Sequence, residues 1–396
     1  MHQPLLAPAG FAAPAVRVAL VRGFPEEIDA LAIGPSAFLR AAWYRAGGGS
    51  AGSTLVATRA DGSLLAAIPL AHKGPRIAGI RGVPGSYWPF RSIQISPDAD
   101  CAELAAVFAH PGAQRALAPV WRMGPVPEDE RVTRMVMTAS ALAGWTVLTR
   151  RLGQTWRFDL AGAAACAGGV WPRKSTRKRL SGYERQLEEL GRVSWHTVTG
   201  PDWSPEVLAQ LGRIEADSWV GRRTSGTGAK FLTASQRRLW AGAMADPVIA
   251  RALSATLLRL DDRPIAFSFD LRADERQYAI AGSYAEDMAD FRVGKMVCYR
   301  QLQQALADGV REVDLGSGDS GYKREMGAVC GPALVDLLIV RRRKAAMLAA
   351  RGWGSEPPEL RALTLASPHL ANQPFPSLRE LAAAAALAGS AIAVAE

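Results

Sequence analysis

Two segments about 200 residues apart share one strand–turn–strand pattern: residues 54–70 read TLVATRADGSLLAAIPL and residues 256–271 read TLLRLDDRPIAFSFDL. In each segment, two apolar runs flank a two-residue turn centred on Asp61-Gly62 or Asp261-Asp262, which is the pattern of a β-hairpin. A hairpin that recurs in this way predicts two copies of one α/β unit. The chain of 396 residues is long enough for two such units.

Segments of helical composition surround both hairpins and alternate with short strand candidates. Helices interleaved with strands in this order predict an α/β or α+β protein with a mixed sheet, and they exclude a helical bundle or a β-sandwich. The predicted helices are 101–118, 130–142, 175–190, 205–219, 234–245 and 295–307, and the predicted short strands are 120–123, 145–148, 193–198, 277–281 and 312–315.

The chain is basic, with a formal net charge of +10 from 47 Lys+Arg against 37 Asp+Glu. This balance favours an acidic partner such as a nucleic acid, a phosphate or an anionic surface, although codon usage explains an excess of arginine equally well. Much of the excess is local, because residues 173–179 hold five cations and residues 341–344 hold four. The charge therefore points to a phosphate-bearing donor or acceptor in the second half of the chain.

Cysteine and histidine spacing gives no sign of a metal site. The four cysteines form no C-x-x-C motif and the five histidines form no cluster, so we expect no metal and reduced thiols in a cytoplasmic protein. The apolar run at 381–395 spans about 22 Å as a helix, which is short of the roughly 30 Å hydrocarbon core. We therefore expect no integral membrane span, and peripheral contact with the inner membrane stays open.

The first segment with chemical interest is the cationic run that begins at Arg173. In a helix, Lys174, Arg177 and Lys178 would share one face. A cap at the helix start would leave first-turn amides beside the cations, which is an anion-binding arrangement. The alternative is a solvated basic face that the acidic residues downstream balance.

The second segment, Phe291 to Met296, opens the predicted helix 295–307 after the strand 277–281. A glycine at a helix start lets a phosphate approach the backbone amides, and Arg292 and Lys295 would add positive charge. The alternative is an ordinary strand–loop–helix connection.

The third segment, Asp314 to Arg324, contains a literal G-x-G-x-x-G motif after a strand. The helix that follows is too short for a dinucleotide-binding crossover, so we reject that interpretation. A flexible strand end of this kind can gather proton-transfer groups, or it can be a glycine-rich turn with a surface Asp–Lys pair. The candidate groups are Asp314, Asp319, Tyr322 and Lys323.

Together these three segments resemble the GNAT acyltransferase superfamily, in the CelD-like and BioF2-like branch associated with bacterial cellulose and exopolysaccharide biosynthesis. The pattern Asp314-Leu315-Gly316-x-Gly318-Asp319-x-x-Tyr322-Lys323 carries most of the resemblance, which covers residues 17–345. The chain is also distantly similar to Fem-type peptidyltransferases, which have two GNAT-like units in tandem.

The resemblance implies tandem GNAT-like units, each a mixed, mostly antiparallel sheet flanked by helices. It implies a degenerate unit over residues 17–155 and a catalytic unit over residues 156–345. A disordered tail over 1–16 and a Pro-rich link with an Ala-rich tail over 346–396 complete the expected organisation.

The resemblance also implies roles for individual residues, with acetyl-CoA or another acyl-CoA as co-substrate. Asp319, Tyr322 and Lys323 match the family's strand-end motif. The roles follow from the crowding of these groups with Asp314 at a glycine-rich strand end, where we expect Asp314 or Asp319 to act as base and Tyr322 as acid. The residues expected to cradle the pyrophosphate are Arg292, Val293, Gly294 and Lys295. The residues expected to contact substrate are Arg173, Lys174, Arg177 and Trp219.

The reaction that we expect is direct N- or O-acyl transfer, in which an amine or hydroxyl attacks a thioester. A backbone N–H near Ala281 to Ser283 would stabilise the oxyanion. The acceptor would be a polysaccharide, its precursor or an amine. Two alternatives stay open: a Fem-like transferase that uses aminoacyl-tRNA, and a non-catalytic module of a polysaccharide synthesis complex.

Overall fold

A computed structural model describes residues 14–48, 52–73, 79–85, 91–117, 119–224, 226, 228–318, 321–342, 346 and 353. The strands are β1 (Val16–Arg22), β2 (Ser53–Arg59), β3 (Leu64–His72), β4 (Arg81–Gly82), β5 (Gln94–Ile95), β6 (Val120–Pro127), β7 (Thr146–Asp159), β8 (Val193–Thr199), β9 (Leu253–Leu260), β10 (Arg263–Ala273), β11 (Arg276–Tyr284), β12 (Glu312–Ser317) and β13 (Val329–Val340). The helices are α1 (Ala41–Gly48), α2 (Cys101–Ala109), α3 (Pro111–Leu117), α4 (Arg131–Leu142), α5 (Leu160–Cys166), α6 (Lys174–Glu188), α7 (Pro205–Asp217), α8 (Trp219–Arg223), α9 (Ala234–Met244), α10 (Pro247–Ala252), α11 (Val293–Ala307) and α12 (Tyr322–Glu325).

Parts of the predicted tails lie outside the described residues. Of the tail 1–16 the structure describes only residues 14–16, and β1 begins at Val16. Of the link and tail over 346–396 it describes only Ala346 and Trp353. The apolar run 381–395 is therefore not described.

Both predicted hairpins are present, and their turns need unusual backbone angles. Gly62 has a φ of +90° between β2 and β3, and Asp261 has a φ of +52° between β9 and β10. Glycine adopts this region freely, and aspartate is among the residues that tolerate it. The Asp261 carboxylate also accepts a hydrogen bond from Arg192 N at 2.9 Å, which ties the second turn to the start of β8.

Side chains cap the N-termini of three predicted helices, α2, α7 and α9. At the start of α2, the Asp100 carboxylate accepts a hydrogen bond from Glu103 N at 2.8 Å, and the Glu103 carboxylate accepts one from Asp100 N. The single helix predicted over 101–118 is divided into α2 and α3. His110, which precedes Pro111, is extended, because a residue before proline is disfavoured in the helical region.

One mixed sheet runs through the molecule in the order β1-β2-β3-β4-β6-β13-β7-β12-β11-β10-β9-β8, with β5 paired to β3. Among the described strands, only β4 with β6 and β11 with β12 pair in parallel. Each half of the sheet thus contains antiparallel strands followed by one parallel step. This mixed, mostly antiparallel sheet with flanking helices confirms the predicted α/β fold.

The two halves of the sheet exchange strands at its centre. β7 follows β6 in the chain but pairs with β12, and β13 follows β12 but pairs with β6. β7 and β13 pair with each other from Val329↔Arg157 to Val340↔Thr146. The sequence analysis did not predict β13, and the predicted boundary between residues 155 and 156 falls inside β7.

One cluster of buried apolar side chains extends across both halves of the sheet, and two smaller clusters lie in the second half. Trp43 in α1 and Trp240 in α9 are each 1% exposed, and their ring centroids lie 5.7 Å apart. Trp240 also packs edge-to-face on Phe269 of β10, with 4.8 Å between centroids. Aromatic contacts of this geometry add to the free energy of area burial.

We predict that Trp240→Ala lowers the free energy of unfolding by about 3–5 kcal/mol, because it opens a cavity in this shared core. Trp219→Ala is the matched control, since Trp219 is 48% exposed and its loss should change stability by about 0.5 kcal/mol or less. Urea unfolding followed by circular dichroism measures both variants. Equal destabilisation by the two substitutions would contradict the assignment of Trp240 to the core.

Candidate active site

A cleft opens where β11 and β12 separate. The two strands pair only from Arg276↔Glu312 to Tyr278↔Asp314, although β11 continues to Tyr284 and β12 to Ser317. The cleft has a volume of about 1520 Å³ and is lined by residues of β10, β11, β12, α6, α8, α11 and α12. Openings of this kind in α/β sheets are preferred places for ligands.

A β-bulge shapes the wall of this cleft. Phe269 of β10 pairs with Ala281 of β11, whereas Asp270 pairs with Ala279, so Ile280 is an extra residue in β11. A bulge bends its strand and redirects the neighbouring groups. Ala279, Ile280 and Ala281 all line the cleft.

Asp270 lies at the deep end of the cleft and is 2% exposed. Its carboxylate accepts hydrogen bonds from Ser268 Oγ at 2.7 Å and from Gln277 Nε2 at 3.2 Å. Burial raises the pKa of Asp270 to about 7, and the two hydrogen bonds only partly oppose this effect. A carboxyl group that titrates near neutral pH in a cleft is suited to general-base catalysis.

The side of α11 that packs over Asp270 is polar. Burial and the nearby Asp270 charge raise the pKa of the Cys298 thiol to about 12, so this thiol stays protonated at neutral pH and is a poor nucleophile. Gln301 Nε2 donates to Ser254 Oγ at 3.2 Å, and Gln301 Oε1 accepts from Thr256 Oγ1. These bonds fix α11 against β9 beneath the cleft.

The N-terminus of α11 faces the cleft, as the second segment predicts. Arg292, which precedes α11, has a φ of +56°, and no side chain caps the helix. Arg292, Gly294 and Lys295 line the cleft, whereas Val293 is buried in the apolar core. Lys295 N donates to the Arg292 carbonyl at 2.9 Å, so the anion-binding arrangement at this opening consists of the two cations and the amides at the very start of the uncapped helix.

Gly294 has a packing role in this turn. A Cβ atom at Gly294 would lie 2.6 Å from Cδ1 of Tyr284, so only glycine lets the Tyr284 ring pack here. The sequence analysis explained this glycine by the approach of a phosphate. The structure shows that an aromatic ring takes the space beside it.

The basic segment at α6 is divided by the helix geometry. Arg173 and Arg179 line the cleft, whereas Lys174 and Arg177 are exposed on α6 outside the cleft wall. Trp219, the first residue of α8, also lines the cleft. Of the four predicted substrate contacts, the structure therefore brings Arg173 and Trp219 to the cleft.

The third segment does not form a single cluster. Tyr322 and Lys323 line the cleft, and Asp319 lies outside the described residues. Asp314 is 1% exposed, is absent from the cleft wall and accepts a hydrogen bond from Gly316 N at 2.9 Å. Burial raises the pKa of Asp314 to about 6, although Arg157 lies 4.0 Å from its carboxylate.

Lys323 holds the end of β12 in place. Its side chain is buried, and Nζ donates to the carbonyl oxygens of Gly316, Ser317 and Gly318 at 3.1, 2.9 and 2.9 Å. Three such bonds occupy the donors of an ammonium group. This geometry is typical of a positioning residue.

The sequence analysis missed Asp270 and Ser268. One signal was available, because both break the apolar run of β10 at alternate positions and so point to the same face of the sheet. Their burial depends on α11, which packs over that face from a distant part of the chain. No local pattern shows this contact.

Comparisons with known proteins agree with this architecture. Residues 174–324 match the sequence model of a family described as "Acetyltransferase (GNAT) domain", which confirms the predicted acyltransferase. No curated protein sequence matches the chain.

Three solved structures with a similar arrangement are distant from this chain in sequence. A structure of FemX is 11% identical, with a TM-score of 0.51, and the match covers 83% of this chain and 99% of that one. The structure of L-PGS from Bacillus licheniformis is 14% identical, with a TM-score of 0.48 and coverage of 84% and 97%. A tandem GNAT protein from the clavulanic acid biosynthesis pathway is 13% identical, with a TM-score of 0.45 and coverage of 82% and 99%. At such identities the FemX match shows a shared fold.

None of the described helices is long and apolar enough to cross a membrane. Within the same part of the chain, no group of three or more His, Cys, Asp or Glu side chains is arranged to hold a metal ion.

We predict that Asp270→Asn stabilises the protein at pH 8 but not at pH 4. The folded-state pKa of Asp270 is raised to about 7, so the folded protein binds more protons than the unfolded chain between about pH 4 and pH 7, and stability falls as the pH rises through this window. Asparagine does not ionise, so the variant does not lose stability in this way as the pH rises. Thermal unfolding should show a gain of about 2 °C or more at pH 8.

The control for this experiment is Asp262→Asn, because the Asp262 side chain is 98% exposed. Its melting temperature should follow that of the wild type at both pH values. If Asp270→Asn also left the melting temperature unchanged at pH 8, the buried charge of Asp270 would not destabilise the folded protein as expected.

Proposed function

We propose that the protein transfers an acyl group from an acyl-CoA thioester to an amine or hydroxyl acceptor in the cleft between β11 and β12. The observation that carries this proposal is the presence of two features in one cleft. Asp270 lies at the deep end, and the uncapped N-terminus of α11 lies at the mouth. Acyl-CoA carries a reactive thioester at one end and a pyrophosphate further along. A cleft that has a base at its deep end and an anion-binding site at its mouth suits such a donor.

The mouth of the cleft has the charge that such a donor needs. Arg173, Arg179, Arg292 and Lys295 line it, and none of them forms an ion pair with another described residue. Arginine and lysine bind phosphate oxygens through charge-assisted hydrogen bonds. In this proposal they hold the pyrophosphate while the pantetheine arm enters the opening between the strands.

Asp270 is the proposed general base. It accepts a proton from the attacking amine or hydroxyl as the new bond to the thioester carbon forms. Ser268 and Gln277 hold the carboxylate in position. Asp314, which the sequence analysis proposed, is absent from the cleft wall, and Asp319 stays the alternative base.

The remaining steps use groups beside the bulge and at α12. A backbone N–H of residues 281–283 donates to the oxyanion that develops on the carbonyl oxygen. Collapse of this intermediate breaks the carbon–sulfur bond, and Tyr322 gives a proton to the departing thiolate. We propose that Trp219, exposed in the cleft wall, stacks on the acceptor, which would suit a polysaccharide or its precursor.

A second candidate donor is an aminoacyl-tRNA. Lys174, Arg177 and Lys178 lie exposed on α6 outside the cleft, so the basic surface extends beyond the region that a pyrophosphate contacts. A longer polyanion would use this additional charge. The same base and oxyanion groups would serve an aminoacyl ester.

We expect Asp270→Asn to lower kcat by about 100-fold or more, in the range of general-base contributions. In the wild type, kcat/KM should rise with pH through an apparent pKa near 7, because only the ionised carboxylate accepts a proton. The variant should lose this acidic limb. Release of free thiol from acetyl-CoA with a panel of amines and sugars measures both rates.

Asp314→Asn is the matched comparison, because Asp314 is also buried and also has a raised pKa but lies outside the cleft wall. In this variant kcat/KM should still rise with pH through an apparent pKa near 7. If Asp314→Asn lost this rise and Asp270→Asn kept it, Asp314 and not Asp270 would be the general base.

The donor can be identified by thermal shift, since a ligand that binds only the folded state raises the melting temperature. We expect acetyl-CoA or a longer acyl-CoA to stabilise the wild type, and Arg292→Met with Lys295→Met to abolish the shift. Lys174→Met with Arg177→Met should leave that shift unchanged. If charged tRNA alone raised the melting temperature, and the Lys174→Met, Arg177→Met double variant lost this rise, the result would favour aminoacyl-tRNA as the donor.

A further inference from the structure

A second group of cations lies in the first half of the chain, far along the sheet from the cleft. Arg122 of β6 and Arg150 of β7 both bind Asp336 of β13, which is fully buried. Arg122 makes two hydrogen bonds to the carboxylate, at 2.9 and 2.6 Å, and Arg150 makes one at 2.8 Å. The carboxylate therefore fixes both guanidinium groups.

Two further cations approach the same point. Lys73, just after β3, and Arg91 both interact electrostatically with Arg122 and with Asp336. A Cβ atom at Gly82 would lie 2.8 Å from Cγ of Lys73, so the glycine in β4 makes room for the lysine side chain. Lys73 and Arg91 are both partly exposed, which leaves the group open to solvent on one side.

The charges in this group do not balance. Four cations surround one carboxylate, and Asp336 is the single acid that lowers the repulsion at Lys73 and Arg91 in the described part of the chain. In the sequence, segments 74–78 and 86–90, which follow Lys73 and precede Arg91 directly, contain no Asp or Glu. Burial lowers the pKa of Lys73 to about 8, and repulsion by Arg91 and Arg122 adds to this effect.

Several donors of the group have no acceptor among the described residues. Arg150 Nε and Trp353 Nε1 are buried and form no hydrogen bond there. Lys73, which is partly exposed, also makes no side-chain hydrogen bond to a described residue. The Trp353 ring covers both arginines, at 4.1 Å from the Arg150 guanidinium and 5.4 Å from that of Arg122. An aromatic ring compensates part of a cation's desolvation but accepts no strong hydrogen bond from it.

We infer that Lys73, Arg91, Arg122 and Arg150 form a binding site for a phosphate group. Rigid guanidinium groups match the oxygens of a phosphate, and a lysine adds a point charge. Asp336 acts as a positioning residue, because it holds Arg122 and Arg150 with their remaining N–H groups free to bind. A bound dianion would bring the local charge close to balance.

The position of the site within the sheet supports this inference. β4 and β6 form the parallel step of the first half, as β11 and β12 do in the second. Arg122 lies at this step, paired with Gly82. The phosphate site would thus occupy the place in the first half that the donor cleft occupies in the second, although it is independent of the function proposed for that cleft.

The test is calorimetric titration of the full-length protein at constant ionic strength with inorganic phosphate and with phenyl phosphate. We expect a binding event that becomes at least tenfold weaker in Lys73→Met and in Arg91→Met. Arg17→Met, which replaces an exposed arginine of β1, should bind as the wild type does. The double variant Arg292→Met, Lys295→Met removes two cations of the donor cleft and should keep the binding event that depends on Lys73 and Arg91. Binding of both probes identifies a phosphoryl group as the ligand, and binding of inorganic phosphate alone identifies the free ion.

Two results would overturn the inference: absence of binding by either probe, or binding that Lys73→Met and Arg91→Met leave unchanged. Loss of binding only in the Arg292→Met, Lys295→Met variant would place the phosphate in the donor cleft instead. If a single variant does not fold, the wild type still provides a test at pH 8. Titrations in two buffers of different ionisation enthalpy should then show proton uptake on binding, because phosphate restores the charge of Lys73.

Discussion

The hydrogen-bonded pairing of β7 with β13 is the contact on which the rest of the molecule depends. It joins two halves that each contain antiparallel strands and one parallel step. Because each of these strands comes from one half and borders the other, the pairing also fixes the neighbours of β6 and β12. This strand exchange therefore determines where the two parallel strand pairs, β4 with β6 and β11 with β12, lie in the sheet, together with the sites beside them.

The cleft between β11 and β12 follows from that arrangement. β12 is held along its other edge by β7, with Ser317 opposite Thr155, and so cannot follow β11 as the bulged strand bends away. Lys323 then secures the free end of β12 through three carbonyl groups. The opening is therefore a property of the sheet, and a rigid one.

Rigidity explains how the fold tolerates Asp270. An ionisable group at 2% exposure is costly unless its neighbours hold it, and here a strand neighbour and a cross-strand amide do so. The group around Asp336 is a second example, in which four cations and not a carboxylate are the costly charges. In both places a destabilising charge is fixed by well-ordered strands, as is common where stability is exchanged for chemistry.

Local patterns in the sequence predicted a good part of this structure. Both hairpins, the helix that begins after Arg292 and the cations at the mouth of the cleft follow from spacing and residue type within a few positions. The exchange of β7 and β13 was beyond such patterns, because it joins residues more than 170 positions apart. The location of Asp314 was missed for a related reason, since a strand pattern does not show which face of the sheet will be covered.

The strand exchange also has a consequence for synthesis on the ribosome. β7 is complete once residue 159 has been made, yet its partners β12 and β13 are not complete until residues 317 and 340. During that interval a strand of 14 residues has both edges without their final neighbours. Exposed strand edges are prone to pair with other chains. The first half of the nascent protein therefore depends on its own helices, or on a chaperone, to cover this strand until the second half arrives.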